Sequence, residues 1–295
     1  MSLPAANITV PVNLTNPGQF FACCGLLELA SRLDETAEGW FANGRFRLQC
    51  RCSFNCLVDV LRQVTVANTM SSAQVARLEE LAKMPKKKRG QQLEDEKKAL
   101  DALRREEPIV LQSTWTMRID WFQDVYSGGA RFKTWAGQQS VLDIVTAMHA
   151  GLCHSLSSDE STLWRNARGG GLPFNFDSDL GSQGSARDVG FSFDPLSSSE
   201  VTRIEGACKP ALEFFAFIGL QRFRPREVTG ENRLIYAAWP LPLPPSVAAC
   251  VASLSLPMPH ARAYEFRLLY RTKYLKSFLP AIPIQGETND HTQVL

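Results

Sequence analysis

Asn16-Pro17-Gly18-Gln19-Phe20-Phe21-Ala22-Cys23-Cys24-Gly25-Leu26-Leu27-Glu28-Leu29 is the stretch from which the rest of the chain is best read. An asparagine followed by proline is a strong helix start. The Asn side chain can accept a free first-turn N–H, and proline's missing N–H would have had no partner in that turn. The pattern predicts a helix running to about Leu33. Phe20, Phe21, Cys23, Cys24, Leu26, Leu27 and Leu29 cover most of its circumference. A helix that is apolar all round has to be enclosed. Pro210 to Phe223 has the same character, through Leu212, Phe214, Phe215, Phe217, Ile218 and Leu220, and ends in an arginine cluster and Pro225.

Around these two helices the chain supplies strands. Ile8 to Leu14, Phe46 to Cys52, Ile109 to Gln112, Thr114 to Trp121 and Leu234 to Trp239 carry strand-favouring β-branched and aromatic residues. Tyr264 to Lys273 alternates most clearly, with Tyr264, Phe266, Leu268 and Tyr270 on one face and Glu265, Arg267, Arg271 and Lys273 on the other. Further helices are expected over Leu57 to Val64 and Gln138 to Leu152. Helices and strands do not alternate regularly enough for a doubly wound sheet. The expected class is α+β: a mixed, largely antiparallel sheet with packed buried helices and a charged helical-hairpin insert. Residues 1–70 form an N-terminal α/β part of the core, 71–107 the insert, and 108–295 the remainder with a nucleic-acid-binding loop.

The insert stands out by composition. Alanine, glutamate, lysine, arginine and leucine dominate it and favour helix. Ser72 is read as the cap of a helix over Gln74 to Met84. Pro85 breaks the pattern, Lys86-Lys87-Lys88-Arg89-Gly90 makes a basic turn, and a second helix covers Gln91 to Arg105.

With 295 residues, 44% of them hydrophobic, the chain can bury a large core in one or two domains. A net charge of +2 excludes a globally basic protein, so any nucleic-acid surface is local. Eight cysteines, several inside apolar runs, point to free thiols in a reducing compartment rather than a disulfide framework. No signal peptide and no bilayer-spanning apolar run is evident, so the expected location is cytoplasmic, with no membrane partner.

Gly128-Gly129-Ala130-Arg131-Phe132-Lys133-Thr134-Trp135-Ala136-Gly137-Gln138-Gln139-Ser140 combines features suited to a nucleic-acid contact. The glycines allow close backbone approach, Arg131 and Lys133 suit phosphates, Trp135 can stack, and Gln138 and Gln139 carry the donor–acceptor pair that reads base edges. The alternative is a loop feeding a helix, with Trp135 anchoring it in the core. Three basic patches accompany it. Lys86, Lys87, Lys88 and Arg89 are either a nonspecific DNA track or a solvated turn. Arg222, Arg224 and Arg226 either hold phosphates or complement a helix dipole. From Arg262 to Lys276 there are five basic residues and one acidic, including Arg267, Arg271 and Lys273.

Catalytic and metal signals are weak. Cys50-x-Cys52-x-x-x-Cys56 lacks the spacing of structural zinc sites, and His149, Cys153 and His154 read as core residues. Asp177, Asp179, Asp188 and Asp194 could offer oxygen ligands to a divalent cation, but the surrounding Asn175, Gly181, Gly184 and Ser185 favour turns. No phosphate-binding loop, dinucleotide fingerprint or nucleophile elbow is present; Gly169-Gly170-Gly171 lacks a Walker lysine. No cofactor and no catalytic residue is expected.

Four separated motifs, in order, carry a family resemblance: Asn16 to Leu29; Arg131-Phe132-Lys133-Thr134-Trp135-Ala136-Gly137-Gln138-Gln139; Pro173-Phe174-Asn175-Phe176-Asp177-Ser178-Asp179 with Asp188-Val189-Gly190-Phe191-Ser192; and Glu213 to Pro225. Together they resemble the short large-subunit protein encoded in subtype I-G (formerly I-U) CRISPR loci. The resemblance spans Ile8 to about Pro280, and the segment Ser71 to Glu107 carries none of its motifs. It implies a non-catalytic subunit of an RNA-guided type I (Cascade) surveillance complex, bound to guide CRISPR RNA beside repeat-binding and backbone subunits. Such a subunit is expected to recognise the protospacer-adjacent motif of target DNA, promote unwinding and support recruitment of a helicase-nuclease, while guide pairing reads the remaining sequence. The alternatives are a metal-dependent nuclease using Asp177, Asp179 and Asp188, or a purely structural subunit contacting guide RNA only.

Overall fold

The computed structural model describes residues 5–123, 133–135, 140–155, 159–164, 168–169, 174–179, 207–229, 231–270 and 276–284. In chain order the elements are β1 Ile8–Pro11, α1 Pro17–Leu33, β2 Glu38–Ala42, β3 Arg45–Gln49, α2 Phe54–Arg62, β4 Thr65–Asn68, α3 Ser72–Lys83, α4 Gln91–Glu106, β5 Ile109–Gln112, β6 Thr116–Ile119 and α5 Val141–Ser155. They continue with β7 Arg168–Gly169, β8 Ala207–Cys208, α6 Pro210–Arg222, β9 Arg226–Glu227, β10 Leu234–Ala238, α7 Pro245–Ala252, β11 Arg262–Phe266, β12 Leu268–Tyr270, β13 Lys276–Phe278 and β14 Ile282–Pro283. The class is α+β.

Every strand pairing among the described residues is antiparallel, but the strands form several small sheets instead of one. Their orders are β1-β3-β2, β4-β5-β6, β14-β11-β10-β9, and the pairs β12-β13 and β7-β8.

The centre is α1 crossed by α6. Asn16 caps α1 as expected, its side chain accepting the Gln19 N–H, and Pro17 opens the helix. Apart from Gln19, every residue from Pro17 to Ala30 is buried, as is every residue from Pro210 to Leu220. The crossing is glycine on glycine. A Cβ on Gly25 would stand 1.9 Å from the Phe215 carbonyl oxygen, and one on Gly219 would stand 2.1 Å from that of Phe21. The two backbones therefore touch where neither has a side chain.

Aromatic rings fill the space around the crossing. Phe20 stacks on Tyr236, with centroids 4.2 Å apart, and Phe174 lies parallel to Phe217 at 4.8 Å. The N-terminal and C-terminal sheets are tied by backbone bonds: Phe41 N–H donates to Trp239 O, and Gly39 exchanges bonds with Leu243. The Trp239 indole N–H adds a 2.6 Å bond to Gly39 O.

Three local readings change. Tyr264 to Lys273 is not one strand; it divides at Arg267 into β11, which pairs with β10, and β12, which pairs with β13. The β10 ladder runs out at Leu234, opposite Phe266, so the next residues take a different partner. Tyr264, Phe266 and Leu268 nevertheless remain buried while Arg267 is exposed. In the insert the cap is Ser71, not Ser72: Ser71 and Gln74 exchange side-chain and backbone bonds in a capping box. Finally, β2, β4 and α7 have no counterpart in the sequence reading. The β2–β3 hairpin turns at Asn43 and Gly44, both at positive φ (53° and 68°), as its two-residue turn requires.

Candidate nucleic-acid interface

The insert is built around its own small cluster, Leu78, Leu81 and Leu100, flanked by Met70, Met84, Leu93 and Leu103. Across its two helices Arg77 bonds Glu96 through both Nε and Nη2, at 2.8 and 2.9 Å, and also reaches Glu80. Arg104 of α4 pairs with Asp143 of α5 at 2.7 Å and ties the hairpin to the body.

At the tip, Lys86–Lys88 form a 3-10 turn after Pro85. All three lysines are exposed, and none makes an ion pair or side-chain hydrogen bond among the described residues. Arg89 differs. Its side chain is 10% exposed, its Nη1 donates to Leu81 O at 3.0 Å, and its Nε faces Glu94 at 3.3 Å. Of the four basic residues in this run, three are open point charges and the fourth locks the turn to α3 and α4.

The arginines after α6 are held in a different way. Arg222 donates to both oxygens of Glu28, at 2.6 and 3.2 Å, and Arg32 reaches the same carboxylate at 2.7 Å. Glu28 is 2% exposed. Burial pushes its carboxyl up, but the two guanidiniums outweigh that and hold it below its ordinary range. Arg222 is thus the partner of a buried acid, with part of its side chain still at the surface. Arg224 is half-buried and partnered. Arg267 is exposed and lies 3.7 Å from Glu265, which also takes Arg233 at 2.5 Å. Arg131, Gln138, Gln139, Arg271 and Lys273 lie outside the described residues.

Trp135 sits in the core. It is 3% exposed and meets Trp121, Phe122 and Phe174 edge to face. An indole enclosed in this way has no open face for a base, which corrects its reading as a stacking group. Lys133 lies over the same ring, its Nζ 5.2 Å from the centroid, in a cation–π contact.

The acidic cluster is structural where it is described. Asp177 Oδ1 accepts from Asn16 Nδ2 at 2.7 Å and from the Asp179 N–H at 3.1 Å, and its Oδ2 faces Lys209 Nζ at 2.8 Å. Asp179 accepts from Gln19 at 3.2 Å. Next to them Glu213, fully buried, accepts the backbone N–H groups of Phe176 and Asp177. Burial, and then the Asp177 charge, push Glu213 up to about 8 against the pull of those N–H donors. Together these groups join the N-terminal ends of α1 and α6 through the 174–179 segment. Among the described residues no group of His, Cys, Asp or Glu could hold a metal. Asp188 and Asp194 lie outside them.

Glu28, Lys209 and Glu213 escaped the sequence reading. The available signal was an acid standing inside each all-apolar helix, since a carboxylate there requires a dedicated partner. No helix among the described residues is long and apolar enough to cross a membrane. No family model matches this chain, and no curated protein matches it.

Proposed function

We propose that this chain is a non-catalytic, nucleic-acid-binding subunit of an RNA-guided surveillance complex of the subtype I-G CRISPR kind, acting in target-motif recognition and duplex opening. Its partners on this reading are guide RNA, target DNA, the repeat-binding and backbone subunits, and a recruited helicase-nuclease. The observation that carries the binding part is the tip of the insert, where three adjacent lysines are exposed and have no partner among the described residues. Each phosphate they neutralise releases counterions and adds affinity without reading sequence. Arg267 supplies a further exposed cation. The motif-reading role rests on the four-segment resemblance, with Arg131, Gln138 and Gln139 as its proposed contacts.

The non-catalytic part is supported by the use made of Asp177 and Asp179. Their oxygens meet Asn16, Lys209 and Gln19 instead of converging on an open position. The test is target-DNA binding by the complex assembled with and without this subunit, across a randomised motif library. Motif preference that disappears when the subunit is omitted supports the proposal. Unchanged preference overturns the motif-reading role, and magnesium-dependent cleavage by the isolated chain, lost in Asp179→Ala, overturns the non-catalytic one.

A further inference from the structure

β3 ends at Gln49 and α2 begins at Phe54, with Ser53 as its cap. The short turn between them carries Cys50 and Cys52. Asn7, immediately before β1, clamps this turn from the other side of the ladder. Its Oδ1 accepts the Cys50 N–H at 2.9 Å and its Nδ2 donates to Cys52 O at 2.7 Å. With the backbone fixed at both ends, the two sulfur atoms lie 3.3 Å apart. Both cysteines are half-buried and Asn7 is exposed, so a small reagent can reach the pair.

We propose that Cys50 and Cys52 form a redox-active dithiol which a hydroperoxide oxidises to an intrachain disulfide. Cys50 is the nucleophile and Cys52 the resolving thiol. The Cys52 S–H hydrogen bond lowers Cys50 to about 7, aided by the Asn7 amide at 3.8 Å and opposed by burial and the Asp34 carboxylate. Cys52 is pushed up by its contact with the Cys50 sulfur and by burial. Cys153 is half-buried, with its Sγ 3.5 Å from His149 Nε2, and burial raises it. Cys23 and Cys24 are enclosed, and burial raises both. Cys56 and Cys250 are exposed, and among the described residues no thiol is hydrogen-bonded to either.

The chemistry balances in two steps. The Cys50 thiolate attacks one peroxide oxygen, the O–O bond breaks, and the departing hydroxide takes up a proton to become water. Cys50 is then a sulfenic acid. The Cys52 sulfur attacks the Cys50 sulfur, the S–S bond forms and the S–O bond breaks, and the hydroxyl leaves with the Cys52 proton as a second water. Two thiols lose two electrons and the peroxide gains them. Closing the gap requires the sulfurs to approach by about 1.3 Å, to the usual bond length of about 2.05 Å.

The test uses the full chain, graded hydrogen peroxide, differential alkylation and peptide mass mapping. The expected product is a Cys50–Cys52 link, short by two hydrogens and reversed by dithiothreitol. It should form about tenfold faster than Cys56 or Cys250 is lost. In Cys52→Ser the sulfenic acid should persist at Cys50 and be trapped by dimedone. Oxidation of Cys56 or Cys250 while Cys50 and Cys52 stay alkylatable overturns the proposal, as does a disulfide from Cys50 to any other cysteine. Should Cys52→Ser fail to fold, the wild-type map decides alone.

Discussion

The crossing of α1 and α6 and the hairpin of α3 and α4 use charge in opposite ways. At the crossing, no acid inside an apolar helix stands as an unmatched charge: Glu28 is paired with Arg222 and Arg32, while Glu213, bonded to backbone N–H groups, is pushed up toward its neutral form. In the hairpin many charges are paired at the surface, and at the tip three exposed lysines have no partner among the described residues. The difference follows from solvation. A buried charge without a partner costs several kcal/mol, whereas an exposed lysine is solvated by water and free to meet an anion. Matched charges therefore mark what holds this fold together, and unmatched ones mark where it can bind.

Breaking the glycine contact should have the largest effect. Gly25→Ala or Gly219→Ala puts a methyl within about 2 Å of a carbonyl oxygen on the facing helix. Both backbones must separate, and a loss of about 3 kcal/mol or more is expected in urea unfolding. Full stability in either variant would mean that the helices do not cross there.

Removing Glu28 comes next. Glu28→Ala strands Arg222 and Arg32 at the edge of the core. Both can turn toward water, so the loss should fall near 2 kcal/mol, below the range for a fully buried pair. Because Glu28 titrates below its ordinary range when folded, its contribution is present above the unfolded value and disappears as pH falls through the folded one. As pH falls below the ordinary glutamate value of about 4.3, the thermal melts of wild type and variant should draw together.

Glu213 has the opposite sign. Its folded value is about 8, while an ordinary glutamate titrates at about 4.3. Between those values the native chain keeps a proton that the unfolded chain releases, so stability falls as pH rises through that window. Glu213→Gln should flatten that decline in a series of melting temperatures. An unchanged slope would show that Glu213 is ionised in the fold.

The smallest effect on stability belongs to the tip. Replacing Lys86, Lys87 and Lys88 together with alanine should change unfolding by less than ~0.5 kcal/mol. The same variant should weaken polynucleotide binding and lower the log–log salt slope by roughly 2 to 3. Arg77→Ala is the contrasting control. It should loosen the hairpin, seen as faster amide exchange in α3 and α4, and leave the salt slope in place.

Much of this was legible along the chain because it is local. The N-cap and proline at Asn16-Pro17 set the start of α1, all-round apolarity marked α1 and α6 as buried, and the composition of 71–107 marked a hairpin with a basic turn. What the chain order concealed depends on who meets whom. No pattern within either helix says that Gly25 faces Gly219, that Glu28 is Arg222's partner, or that Asn7 holds Cys50 beside Cys52. Trp135 shows the same limit: Lys133, Thr134, Ala136 and Gly137 flank it in sequence, yet packing surrounds it with Trp121, Phe122 and Phe174. Hydrogen bonding and apolarity within a few residues determined the elements. Only the packed structure decided which charges are neutralised, because that depends on residues far apart in sequence sharing one low-dielectric space.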